Sequence, residues 1–172
     1  MKWLIPLFVL MSIQASAQSR LKKIPIGNSG CAAYFYCNPG EADLSYSPDS
    51  SRVYTMSCND SSLNYGLICI RFNASMLPLS EPVELMTQYM EFLKTSFEVT
   101  QAAGFGKGHT LAGQDGVSGV IDYWNTKDGN EIQVKSWTDG KGIGFMYVKG
   151  SSRDLSNNYS KVQVYFNGFR FH

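Results

Sequence analysis

The stretch Gly104-Phe105-Gly106-Lys107-Gly108-His109 is where residue types and spacing in this chain come nearest to chemistry. Glycine N–H groups can turn inward around an anion, and Lys107 adds positive charge. A nucleotide-binding loop, however, follows a strand and opens a helix. This stretch follows a helical pattern and leads through Gly113 and Gly116 to a strand-like run, without Walker spacing. It reads instead as a surface loop from Gly104 to Gly116. Such a loop offers Phe105, Lys107 and His109 as an aromatic, a cation and an imidazole for binding.

Catalysis by these residues would need partners. His109 is the one histidine away from the C-terminal His172. A hydrolase would set it beside a nucleophile and a carboxylate, such as Ser118 with Asp115 or Asp122. No Gly-x-Ser-x-Gly elbow is present. A glycosidase would need two facing carboxylates. Asp122, Asp128, Glu131 and Asp139 lie among Tyr123, Trp124 and Trp137, but Asp128 and Asp139 have the character of turn residues. No catalytic residue, metal ligand or cofactor is therefore assigned. The expected role is a non-catalytic binding or accessory one, with Trp124 and Trp137 as binding aromatics and sheet packing as their other use. A hydrolase using His109 or the acidic residues near Trp124 is the alternative.

The four cysteines, Cys31, Cys37, Cys58 and Cys69, lack paired C-x-x-C spacing, which argues against zinc. Two disulfides are expected, with free buried thiols as the other reading. If Cys31 to Cys37 is extended, those two lie ~20 Å apart at ~3.3 Å per residue. A disulfide needs Cα atoms within ~7 Å, which excludes that pair and its complement. In a meander, Cys37 and Cys58 both finish upward strands. Cys37–Cys58 with Cys31–Cys69 is the expected connectivity.

The N-terminus supplies a compartment. Lys2, the apolar run Leu4–Met11 and the small residues Ala15 and Ala17 form the pattern of a cleaved secretory signal. Cleavage after Ala17 leaves 155 of the 172 residues, about one domain. Loss of Lys2 leaves 14 basic against 14 acidic residues. That balance gives no attraction for nucleic acid or an anionic membrane. No second apolar run approaches the ~20 residues of a membrane span. A periplasmic or secreted location follows, with an envelope protein or small ligand as partner. Residues 18–30 read as a flexible lead-in and 31–172 as a single domain.

The elements that must position these residues follow from period. Ala32–Cys37, Asp43–Ser47, Arg52–Cys58 and Gly66–Phe72 read as strands. From Ser80 the period changes. Leu85, Tyr89, Phe92, Leu93 and Phe97 mark the buried stripe of an amphipathic helix capped by Ser80. Val117–Trp124, Glu131–Trp137 and Ile143–Lys149 form a three-strand meander through Asp128-Gly129 and Asp139-Gly140. Leu155–Phe166 closes the chain as a second helix, stopped by Gly168, with a strand as the other reading because Val162 and Val164 are β-branched. The expected fold class is α+β, a single antiparallel β-sheet sandwiched with two main helices.

Gly119-Val120-Ile121-Asp122-Tyr123-Trp124, Val134 through Gly140, Phe145-Met146-Tyr147-Val148 and the ending Tyr165-Phe166-Asn167-Gly168-Phe169-Arg170-Phe171 carry a resemblance. Together they resemble small exported proteins of Bacteroidetes-type bacteria with the PsbP-like fold. PsbP is an extrinsic subunit of photosystem II, and the fold also occurs in a Ran-binding protein. The resemblance covers most of residues 31–171. It implies an antiparallel sheet between helices and a non-catalytic, protein-binding or accessory role. No functional residue carries over, because roles differ between members of the fold.

Overall fold

The computed structural model describes residues 21–172, so the signal segment and its cleavage after Ala17 lie outside the described residues. Ten strands and three α-helices follow in chain order. They are β1 (Lys22–Pro25), β2 (Ala32–Phe35), β3 (Asp43–Tyr46), β4 (Arg52–Asp60), β5 (Leu63–Arg71) and α1 (Pro82–Ser96). Then come β6 (Val99–Ala102), β7 (Gly106–Leu111), β8 (Gln114–Thr126), β9 (Glu131–Thr138), β10 (Gly142–Gly150), α2 (Ser152–Asn157) and α3 (Tyr159–Phe166).

Eight strands form one antiparallel sheet in the order β3-β4-β5-β10-β9-β8-β6, with β7 also paired to β8. The turns follow from their residues. Ser61 takes φ 56° between β4 and β5, and Gly129 takes φ 79° between β8 and β9. Asp139 Oδ1 accepts from the N–H groups of Lys141 and Gly142, both at 2.9 Å, and so closes the β9–β10 turn. Short turns enforce antiparallel neighbours.

Alternation along each strand feeds two cores. On one face Leu67, Cys69, Met146 and Trp137 pack with Leu155, Tyr165, Phe166, Phe169 and Phe171 from α2, α3 and the tail. On the other, Ile70, Val120, Trp124, Val134 and Phe145 pack beneath Met86 and Met90 of α1. The sheet is thus covered on both faces, as an α+β layered domain requires.

Five expectations change. The sheet is not single, because β1 and β2 form a separate two-stranded hairpin. The supposed flexible lead-in supplies β1, and Ile26 is fully buried. Ile24 and Ile26, set among lysines and a proline, form a short apolar alternation that packs on the core. The closing helix breaks at Asn158, whose Nδ2 donates to the Asp154 carbonyl at 2.9 Å. Such side chains compete with the helix ladder. Finally, Phe92 is 68% exposed. It lies two positions beyond the buried Met90, about 200° around the helix, and faces outward. Leu85, Tyr89, Leu93 and Phe97 are only half-buried. Glu81, not Ser80, precedes α1, and it makes no side-chain cap.

Candidate functional site

The glycine-rich stretch is largely a strand. From Gly106 to Leu111 it runs as β7 against β8, with a register shift around Gly108, whose φ is 86°. Its N–H groups serve a sheet ladder and not an anion cradle. Gly104 N donates to Asp122 Oδ1 at 2.9 Å. Phe105 is half-buried beneath Lys94, whose Nζ lies 4.7 Å from the ring centroid. Lys107 is exposed and pairs with Glu84 at 2.6 Å, which ties β7 to α1. That lysine holds the Glu84 carboxyl below its ordinary range.

Trp124 and Trp137 are buried, at 1% and 0% exposure, and present no stacking surface. Each indole N–H has a partner inside the fold. Trp124 Nε1 donates to Asp122 Oδ2 at 2.7 Å, and Trp137 Nε1 to the Phe166 carbonyl at 2.8 Å. Gly119 makes the second arrangement possible, because a Cβ there would meet the Trp137 ring at 2.3 Å. Alternation places both rings inward, and large apolar area keeps them there.

The catalytic alternatives do not assemble. His109 is half-buried, and among the described residues no hydroxyl or carboxylate bonds to it. Burial, then the charge of Lys135, lowers its pKa. An imidazole beside a cation lacks the orienting carboxylate of a general base. Asp122 is fully buried and consumed structurally. Besides Gly104 and Trp124 it accepts from Tyr123 N at 2.8 Å and faces Lys94 Nζ at 3.4 Å. Asp128 accepts from Lys149, Thr126 and Asn130, and these bonds, that from Lys149 first, hold its carboxyl far below the ordinary range. Asp139 closes a turn and pairs with Arg71 at 3.5 Å. Among the described residues, no cluster of three or more His, Cys, Asp or Glu side chains could hold a metal.

Cys37 and Cys58 form the expected disulfide, with Cα atoms 5.9 Å apart. The second expected bond is not present. Cys31 and Cys69 are buried thiols side by side, and Cys69 donates to Cys31. That hydrogen bond first, then the nearby Arg71 charge and a bond from Ser29, lower Cys31 from 9.0 to about 7 against the opposing effect of burial. Cys69, as the donor and more deeply buried, is pushed up.

One feature escaped the sequence reading. Between α1 and the sheet lies an apolar cavity of about 440 Å³. Ile68, Ile143 and Phe145 form its floor, Tyr89 and Leu93 its roof, and Phe92 its exposed lip. Among the described residues, no carboxylate, imidazole, amine or thiol lines it. The half-buried helical stripe was the available signal, but only tertiary packing sets the gap beneath it.

Among the described residues, no helix is long and apolar enough to cross a membrane. No protein-family model and no curated protein matches the sequence. Solved structures do match in shape. One is the solution structure of cyanobacterial PsbP, CyanoP, from Synechocystis sp. PCC 6803. It is 11% identical with a TM-score of 0.56, over 95% of this chain and 99% of that one. Another is a Pseudomonas aeruginosa protein of unknown function described as a putative regulator, 7% identical with a TM-score of 0.43 over 83% and 91% of the two chains. At such identities a likeness speaks for shape, and the first of these shows that the chain has a PsbP-like fold.

Proposed function

We propose that this is an exported, non-catalytic binding or accessory protein of the periplasm or the medium. The observation that carries the reading is the cavity beneath α1, a concave site where, among the described residues, no carboxylate, imidazole or amine lines the wall to activate a serine hydroxyl. The structural engagement of Asp122, Asp128 and Asp139 supports it, as does the PsbP-like fold. The Cys37–Cys58 bond and the signal-like N-terminus support export, since disulfides persist in oxidising compartments. The edge strand β7, with Lys107 and His109 along it and Phe105 just before it, is a further candidate surface for an envelope protein.

The test starts from the full sequence expressed in a Gram-negative host. Protein recovered from the periplasm or medium should begin at Gln18. Cross-linking in the native envelope, followed by capture and organic extraction, should yield a stoichiometric ligand or partner. Turnover of ester or glycoside substrates that is lost in His109→Ala or Glu131→Gln would overturn the reading.

A further inference from the structure

The cavity beneath α1 carries a more specific inference, which rests on the binding reading above. Its lining is almost wholly carbon, from β4, β5, β9, β10 and α1. Its volume of about 440 Å³ lies within the ~300–1,000 Å³ of small-molecule sites. Such sites pair an apolar wall with a few polar groups that orient the ligand. Here that group is Ser136. It lies on the floor, fully buried, and its Oγ has no hydrogen-bond partner among the described residues. Buried hydroxyls are nearly always paired, so an orphan beside a cavity points to a partner from outside the chain. Ser47, at the rim, is not equivalent, because its hydroxyl already donates to Asp49.

The ligand must also be uncharged. Among the described residues no Lys or Arg lines the cavity to compensate a carboxylate or phosphate, and a buried unpaired charge is strongly disfavoured. The roof is consistent with an adjustable wall. Tyr89 and Leu93 are half-buried, and Phe92 stands exposed at the lip.

We infer that this cavity binds a neutral alkyl-chain molecule through one oxygen that hydrogen-bonds Ser136, as in a long-chain alcohol or the ester end of a neutral lipid. The exported protein, stripped of lipid, is titrated with the neutral fluorophore N-phenyl-1-naphthylamine. It is then competed with 1-dodecanol, methyl laurate, dodecane and laurate. One saturable site is expected, displaced by dodecanol and by methyl laurate and poorly by laurate at pH 8. Stronger displacement by one of the first two names the alcohol or the ester source. Ser136→Ala should weaken dodecanol about fivefold, the equivalent of one neutral hydrogen bond, while leaving dodecane unchanged. Ile68→Trp should fill the cavity and abolish binding. If that variant does not fold, Thr55→Phe blocks the same space from the rim.

Absence of saturable binding overturns the inference. So does wild-type affinity in a folded filling variant, displacement by laurate equal to that by dodecanol, or unchanged dodecanol affinity in Ser136→Ala. A protein partner captured from the envelope alongside such a negative titration would leave the binding reading standing without this ligand.

Discussion

The indole N–H of Trp124 donates to the fully buried carboxylate of Asp122 at 2.7 Å, and Lys94 approaches the same oxygen at 3.4 Å. The Lys94 contact joins β8 to α1, and the N–H of Gly104, donating to the other oxygen of the same carboxylate, ties in the entry to β7. Removing one member of a buried pair leaves an uncompensated group and costs ~3–5 kcal/mol. Asp122→Ala should lower urea-unfolding stability by that amount. A loss below ~1 kcal/mol, the range of an exposed ion pair, would show that the site is solvated.

Two residues of α1 should behave oppositely. Met90 is fully buried and Phe92 is 68% exposed. Met90→Ala should cost ~2–5 kcal/mol. Phe92→Ala should stay within ~0.5 kcal/mol, as for ordinary surface changes. Equal losses in thermal unfolding would mean that the helix is seated with a different face toward the sheet.

The Cys37–Cys58 bond closes a loop with a sequence separation of 21. A loop of that size contributes ~3 kcal/mol by restricting the unfolded chain. The Cys37→Ser/Cys58→Ser variant should lose about that much. Peptide mapping without reduction should recover the Cys37–Cys58 cross-link, and recovery of Cys37 joined to Cys31 or Cys69 would refute the assignment.

The facing thiols of Cys31 and Cys69 should respond to pH and to oxidant. Cys31 is lowered from 9.0 to about 7 in the folded protein. A lowered folded value adds stability above the unfolded value, and that stability is lost as pH falls through the folded one. The reduced protein should therefore gain stability between about pH 7 and pH 9, and Cys31→Ser should flatten that rise. Cys69, raised, opposes only above pH 9, where an unfolded thiol ionises first. With oxidised glutathione the pair should close. One S–S bond forms, two S–H bonds break, and two electrons and two protons convert the oxidant to two reduced glutathiones. Intact-mass analysis should show two hydrogen atoms lost, and a persistent glutathione adduct on Cys31 would argue that Cys69 cannot reach it.

Local periodicity carried most of the strand and helix assignments, because period and turn chemistry are properties of neighbouring residues. Arg52–Asp60, Glu131–Thr138 and Gly142–Gly150 lie within a few residues of their expected positions, and Asp128-Gly129 forms the expected turn. The Cys37–Cys58 pairing is as expected from chain direction, although β2 leaves the meander for a separate hairpin and Cys37 lies just beyond it. Strands β6 and β7 were not legible in the same way. Gly106 to Leu111 has little apolar alternation and becomes a strand only because β8 is long enough to pair with it.

The site residues divide along the same line. Residue type alone marked Trp124, Trp137 and His109 as able to bind or catalyse. Which face of β8 or β9 each side chain takes, and whether a helix already covers that face, depends on layers brought together from distant segments. Those layers bury both tryptophans, pair Asp122 with Lys94, and leave Cys31 and Cys69 as facing thiols. They also set the gap beneath α1 and strand the Ser136 hydroxyl at its floor, because a cavity belongs to the fit between surfaces and to no single stretch of chain.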